Sequence, residues 1–118
     1  MRQDGTEWSA QLRRGVLELC ILSIIEKEPS YGYQIVSEMA LTRHLASGGG
    51  TIYPLLRRLK RDGLVTTSWE ESGTGPPRQY YRLTADGSAA LWSMREEWLG
   101  LVQAMHRHLR CDGVAHES

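Results

Sequence analysis

Four cations lie within five positions of this sequence, and their side chains are the ones best suited to specific chemistry: Arg57, Arg58, Lys60 and Arg61. A guanidinium group can donate two parallel hydrogen bonds to the O6 and N7 atoms of guanine, while a lysine ammonium suits a phosphate oxygen. The segment 43–61 contains five Lys or Arg and no acidic residue, although the 118-residue chain as a whole is neutral. A positive patch on a neutral protein indicates a nucleic-acid contact confined to one face.

A short helix must present these cations. It is predicted to begin near Gly50 or Thr51, because Pro54 is tolerated only in a first turn, and to end at Gly63. At 100° per residue its apolar side chains share one side, and its basic side chains share the other side with Tyr53. We therefore expect DNA contacts from Thr51, Tyr53 and the four cations, with Thr51 facing a phosphate at the helix start.

The rest of the chain predicts the elements around this helix. An apolar stripe predicts a core helix from Ala10 to Glu28, and a second, shorter helix follows from Tyr31 to Leu41. β-Branched residues predict strands at Leu64 to Glu70 and Arg78 to Thr84, joined as a hairpin, before a long helix that ends near Arg110. This order predicts an α+β, mainly α fold: a winged helix-turn-helix with a long C-terminal dimerisation helix.

Two residues outside the basic helix are also predicted to reach DNA. Tyr31 can offer its hydroxyl to a phosphate at the start of the second helix, with a core position for its ring as the alternative. Arg78 follows the Pro-Pro tip of the hairpin, so it is predicted to reach a flanking phosphate or the minor groove. The alternative for Arg78 is plain exposure to solvent.

The predicted domains are a DNA-binding domain at 1–84, a dimerisation helix at 85–110 and a polar tail at 111–118. A single core of this size leaves much surface exposed, so a homodimer is favoured. Apolar residues of the last helix recur with heptad spacing. The predicted dimerisation residues are Leu91, Trp98, Leu101, Val102 and Met105.

The same helix also supports a second interpretation, a cavity between subunits that stacks planar aromatic ligands. Trp and Met side chains supply large, polarisable contact areas suited to such a small-molecule effector. The residues predicted to line the effector site are Trp8, Trp92, Met94, Trp98 and Met105. A dimer interface without a ligand is the simpler alternative.

Several classes of protein are disfavoured. No apolar run approaches the roughly 20 residues of a membrane span, and the N-terminus lacks the pattern of a secretory signal, so we expect a cytoplasmic protein with no membrane partner. The glycine runs lack the Gly-Lys-Ser/Thr of a phosphate-binding loop, and no catalytic acid and base are paired, so no enzyme activity and no cofactor are predicted.

Residues with metal-ligand chemistry gather near the C-terminus: His106, His108, Cys111, Asp112 and His116. Their spacing is loose, because His106 and His108 point about 200° apart on a helix. No metal site is therefore predicted, and a metal-responsive regulator stays an alternative.

The sequence resembles the PadR family of bacterial transcriptional regulators through YGYQI at 31–35, GTIYPLLRRLKRDGLV at 50–65 and PRQYYRLTADG at 77–87. The likeness extends over about residues 10–110, and the single C-terminal helix resembles the small subgroup that includes multidrug-binding repressors. A departure is the triple glycine 48–50, where the family commonly has a small polar residue.

The resemblance implies a repressor that binds double-stranded DNA at an inverted repeat, dimerises through its last helix, and is often relieved by phenolic or drug-like effectors. Trp98 falls where a drug-stacking Trp lies in the subgroup. Together these observations predict a homodimeric repressor relieved by a small aromatic effector at the dimer interface. The alternatives are the metal-responsive regulator and a winged-helix module that binds proteins rather than DNA.

Overall fold

The computed structural model describes residues 5–109, with side chains from Trp8 onward, and contains five α-helices and three strands within that range. The elements are α1 (Gly5–Arg14), α2 (Leu17–Lys27), β1 (Ser30–Tyr31), α3 (Gly32–Ala40), a 3-10 turn (Arg43–Leu45), α4 (Gly49–Arg61), β2 (Val65–Glu70), β3 (Arg78–Leu83) and α5 (Ala85–Leu109). Their order confirms the predicted mainly helical winged helix-turn-helix with a long C-terminal helix. None of the helices in the described range is long and apolar enough to cross a membrane.

The first predicted helix is in fact two helices. The prediction of one helix from Ala10 to Glu28 was wrong, because α1 ends at Arg14 and α2 begins at Leu17. Gly15 lies at the break, where glycine stabilises a helix less than other residues do, and the Val16 N–H donates to the Arg13 carbonyl at 2.9 Å. None of the α1 residues from Trp8 to Arg14 is buried.

The hairpin of β2 and β3, here called the wing, pairs with a third strand, β1, that the sequence did not predict. Strand β3 lies between β1 and β2, and all three are antiparallel. β1 pairs Ser30 with Tyr81 and Tyr31 with Tyr80. The Ser30 hydroxyl donates to the Glu28 carbonyl, and the side chain of Gln34 accepts from the Tyr31 N–H at 3.0 Å. The wing is therefore hydrogen-bonded to the residues that start α3.

One apolar core joins the helices to the wing. Side chains of six different helices and strands meet in it, and seven of these side chains are almost completely removed from solvent: Ile21, Leu22, Ile35, Ile52, Leu56, Leu59 and Leu91. Tyr81 of β3 is also buried, whereas its neighbour Tyr80 is half-buried. Burial of each such side chain contributes about 1.5–3 kcal/mol to folding.

Leu91 corrects one of the predicted dimer contacts. Its side chain is 0% exposed within its own chain, so it is not available to a partner. Heptad spacing could not separate the stripe of α5 that faces the core from the stripe that faces outward. The predicted domain limits at residues 84 and 110 stay a prediction, and α5 contributes to the same core as the winged helix.

The start of α5 is fixed by close backbone contact. The Thr84 hydroxyl donates to the Gly63 carbonyl at 2.6 Å and accepts from the Gly87 N–H at 2.9 Å. The Thr84 N–H donates to the Leu64 carbonyl at 3.1 Å. A Cβ atom on Gly87 would overlap the Leu64 carbonyl oxygen. Only glycine allows the helix to lie this close to the segment that follows α4.

We expect Gly87→Ala to destabilise the protein by about 1–3 kcal/mol or more, because the added methyl group meets rigid backbone. Gly100→Ala is the matched control: Gly100 lies on the same helix with open space around it, and alanine there should stabilise by about 0.5–1 kcal/mol. Urea unfolding of the two variants measures both effects. Equal stability of the Gly87→Ala variant and the parent would contradict this packing.

Candidate nucleic-acid interface

Helix α4 has one buried side and one basic side. Ile52, Leu56 and Leu59 are buried in the core. Residues half a turn away on the helix therefore point outward. The helix begins at Gly49, slightly earlier than predicted, so Pro54 lies in its second turn. Its last residue is Arg61, and the predicted stop, Gly63, follows two residues later with a φ of 79°, in the left-handed region.

The end of α4 has the hydrogen bonds of a Schellman motif. The Gly63 N–H donates to the Lys60 carbonyl and the Leu64 N–H to the Leu59 carbonyl, each at 3.0 Å. These bonds satisfy carbonyl groups that would otherwise lack partners at the end of the helix. The chain then turns directly into β2, so the wing starts close to the basic end of α4.

The four cations of α4 differ in their exposure to solvent and in whether they form ion pairs. Arg57 and Lys60 are exposed, and neither has an ion-pair partner in the described range. The Arg61 guanidinium lies 3.6 Å from the Asp62 carboxylate, yet its side chain is 71% exposed. Arg58 differs, because it lies toward α2 and forms an ion pair with Glu18. Three of the four predicted cations therefore point outward with little competition.

Tyr53 separates the two helices of the helix-turn-helix. A Cβ atom on Gly32 of α3 would overlap the Tyr53 ring, and one on Gly49 would lie 3.0 Å from it. The Tyr53 ring is thus the group that lies against the backbone of Gly32. The side chain remains 39% exposed at the edge of the basic surface. Of the triple glycine, Gly48 and Gly50 have open space around them.

Arg78 and Tyr31 form a stack on the wing. The Arg78 guanidinium carbon lies 4.3 Å from the centroid of the Tyr31 ring, a cation–π geometry. The Tyr31 ring in turn meets Tyr80 edge to face at 5.3 Å between centroids. Tyr31 is thus half-buried, and its ring holds Arg78 beside the groove between α3 and the wing.

An acidic residue lies directly across the hairpin from Arg78. Glu70 is its register partner, but the Glu70 carboxylate accepts hydrogen bonds from Arg82 at 2.8 Å and from the Ser68 hydroxyl at 3.3 Å. The negative charge on this strand is thereby paired with Arg82. Arg78 keeps its own positive charge for another partner.

Two exposed aromatic residues in the same region were not predicted. Tyr33 and Trp69 are each 68% exposed, and both line the groove of about 460 Å³ that also contains Tyr53 and Arg78. Tyr33 lies off the buried stripe of α3, and Trp69 is a large apolar residue near a strand end. These two aromatic residues could have been recognised in the sequence as surface candidates, because neither belongs to the predicted core.

Burial changes the acidity of two groups near these elements. It raises the pKa of the Tyr81 hydroxyl, which the nearby Tyr53 raises further and the Arg57 guanidinium lowers. Burial also raises the pKa of the Cys20 thiol, which is half-buried on α2. The raised pKa keeps this thiol protonated, so Cys20 packs as a small apolar residue rather than as a reactive thiolate.

The residues predicted for an effector site are only partly brought together. Trp98 and Met94 line a cleft of about 510 Å³ between α5 and the junction of α1 with α2. Trp8, Trp92 and Met105 are exposed side chains outside that lining.

The other predicted dimer residues lie further along α5. Trp98, Leu101 and Met105 are between 41% and 54% exposed, and Val102 is half-buried. His106 and His108 are exposed on the last turns of the same helix. Cys111, Asp112 and His116 lie outside the described residues, so the predicted absence of a metal site stays a prediction.

Comparisons with known proteins agree with the fold. A PadR family transcriptional regulator from Eggerthella lenta has 34% sequence identity and a TM-score of 0.77, over 91% of this chain and 93% of that chain. A PadR-like transcription factor from Bacteroides fragilis has 39% identity and a TM-score of 0.70, over 88% of this chain and 98% of that chain.

Two curated proteins are similar in sequence. An uncharacterised protein of Lysinibacillus sphaericus is 30% identical over 87 residues, which are 72% of this chain and 80% of that protein. The transcriptional regulator YqjI of Escherichia coli K12 is 31% identical over 105 residues, but this chain spans only 47% of its length. The model of the transcriptional regulator PadR-like family matches residues 21–93. Because that match covers more than half of the sequence and solved members share the whole fold, the chain belongs to the PadR-like family of transcriptional regulators.

Proposed function

We propose that this protein is a homodimeric repressor that places α4 in the major groove of an inverted-repeat operator and is released by a small aromatic effector bound beside α5. The observation that carries the proposal is the outward basic side of α4, opposite a side that is fully buried. A regulator of this kind acts on DNA in the cytoplasm.

The contacts to DNA divide by chemistry. Arg57 and Arg61 are the side chains proposed to read guanine, because a guanidinium can meet two acceptors at once. Lys60 and the start of α4 at Thr51 are proposed to meet phosphates. Arg58 would first have to leave Glu18, so its contribution to binding is expected to be smaller.

The wing supports the same mode of binding. β1 pairs with β3, so the hairpin is attached to the start of α3, and the Tyr53 ring fixes the spacing between α3 and α4. Arg78 is held by Tyr31 at the side of this assembly. We propose that Arg78 meets the backbone flanking the groove that α4 enters.

Dimerisation is proposed through the outward apolar side chains of α5. Apolar residues exposed on this helix include Trp98, Leu99, Leu101 and Met105, and a contiguous patch of this kind marks an interaction surface. A two-fold dimer then presents two α4 helices, with half-sites about 34–36 Å apart or a multiple of that distance.

Control by an effector is proposed at the cleft that contains Trp98 and Met94. This cleft is bounded by α5, the proposed dimerisation helix, so a ligand there can favour one arrangement of the dimer over another. Such a ligand shifts the equilibrium only if it binds the two arrangements with different affinity.

The DNA-binding proposal is tested by selecting sites from a random duplex pool and titrating the enriched duplex at several salt concentrations. We expect Arg57→Gln and Arg61→Gln each to cost about 1–3 kcal/mol of affinity for that site. Arg107→Gln is the control, since it removes an exposed arginine at the far end of α5. If the double variant at positions 57 and 61 binds the enriched duplex as tightly as the parent, α4 does not read DNA.

The dimer is tested by placing charge on the outward side of α5. Leu101→Lys combined with Met105→Lys should shift the protein from dimer to monomer in sedimentation velocity, because four cations would meet in the apolar interface of each dimer. Gln103→Lys should leave the dimer intact, since Gln103 is an exposed polar residue between the two positions. A dimer that persists in the double variant would place the interface elsewhere.

A further inference from the structure

The ion pair between α4 and α2 differs from the other three ion pairs within residues 5–109. It joins Arg58, on the helix proposed to enter DNA, to Glu18 in the first turn of α2. The Glu18 side chain is 23% exposed, whereas the acidic side chains of the other pairs are between 41% and 51% exposed. Because solvent and salt screen a partly buried pair less than an exposed one, Glu18 holds its arginine more firmly than the other acids hold theirs.

Arg58 also borders a positively charged cleft at the start of α4. Its side chain is 49% exposed, and the cleft, of about 350 Å³, is shared with Arg14 of α1 and with Gly50 and Thr51 of α4. No Asp or Glu side chain of the described range lines this cleft. Two arginines without an acid favour an anion there. Thr51, at one edge of the cleft, is already proposed to meet a phosphate of DNA.

Glu18 and a phosphate are alternative partners for the same guanidinium. Carboxylate and phosphate oxygens both match the fork of donors that an arginine presents. A protein gains affinity for a duplex when its free cations neutralise phosphates and release condensed counterions. An arginine that is already neutralised by an acid of its own chain contributes little to that gain.

We propose that Glu18 competes with a DNA phosphate for Arg58, and so limits the affinity of this protein for any duplex. In the complex, the phosphate lies in the cleft between Arg14 and Thr51. This inference rests on the proposed DNA binding and adds to it a residue that opposes binding. Because a phosphate contact carries no sequence information, the limit applies to the operator and to other DNA alike.

The test compares the parent with Glu18→Gln in binding to two duplexes, the enriched site and an unrelated sequence of the same length. We expect the variant to bind both duplexes about 3- to 10-fold more tightly at low salt, because each subunit of the dimer releases one Arg58. Log affinity should also fall more steeply with log salt. The slope should change by about 1–2, since each additional phosphate contact adds about 0.9.

Glu26→Gln is the matched control. Glu26 lies on the same helix as Glu18 and forms an ion pair at 3.0 Å, but its partner is Arg95 of α5 rather than a residue of α4. The substitution removes the same charge and the same kind of interaction. It should leave the affinity for both duplexes and the salt slope nearly unchanged.

Arg58→Gln identifies the cation on which Glu18 acts. Because Glu18 holds Arg58 in the parent, this substitution alone should weaken binding less than Arg57→Gln does. In the Arg58→Gln background, Glu18→Gln should lose its effect on affinity and on the salt slope. Urea unfolding shows which variants keep the parent fold. If Glu18→Gln does not fold, Arg58→Gln decides alone, since a loss as large as that of Arg57→Gln would show that DNA already reaches Arg58 in the parent.

The outcomes separate this inference from the function on which it rests. Unchanged affinity in Glu18→Gln, an equal gain in Glu26→Gln, or a gain that persists without Arg58 would overturn the competition while leaving DNA binding by the parent intact. Weaker binding by Glu18→Gln would overturn it too, because Glu18 would then support the DNA-binding position of α4. A gain confined to the enriched site would contradict a phosphate partner. If neither the parent nor Glu18→Gln binds any duplex, the DNA-binding function fails, and this inference fails with it.

Discussion

The burial of one side of α4 is the constraint on which the rest of the molecule depends. Ile52, Leu56 and Leu59 can reach the core only if the helix lies in one rotational setting, and that setting turns Arg57 and Arg61 outward. Rotating the helix by a quarter turn would expose apolar surface and bring a guanidinium toward the core, at a cost of several kcal/mol. The same hydrophobic contacts that stabilise the fold therefore aim the basic side chains.

Helix α4 and the hairpin of β2 and β3 are held in one packed unit with α3 and α5. The Tyr53 ring spaces α4 from α3 at Gly32, β1 connects the start of α3 to β3, and Gly87 allows α5 to lie on the segment after α4. Each contact involves backbone that cannot shift without losing hydrogen bonds or packing. The positions of the cations of α4 and of Arg78 are consequently fixed relative to one another.

Much of this arrangement could be predicted from the sequence, because periodicity and turn residues act locally. The two sides of α4 and the hairpin both follow from such signals. The two-residue strand β1 could not be predicted, since two residues have no period. Nor could the contacts that depend on tertiary packing: the ion pair of Arg58 with Glu18, and the burial of Leu91, whose heptad position fits a core as well as an interface.

Helix α5 extends as a long arm from the part of the fold that carries the basic surface. Its 25 residues at about 1.5 Å each give a length of about 37 Å. If two such arms cross near Leu101 in the proposed dimer, the start of α5 lies about 24 Å from the crossing, and a tilt of about 8° there moves that start by about 3 Å, close to the spacing of about 3.4 Å between successive bases. A change too small to disturb either core could thus put the second α4 out of step with the operator by one base pair.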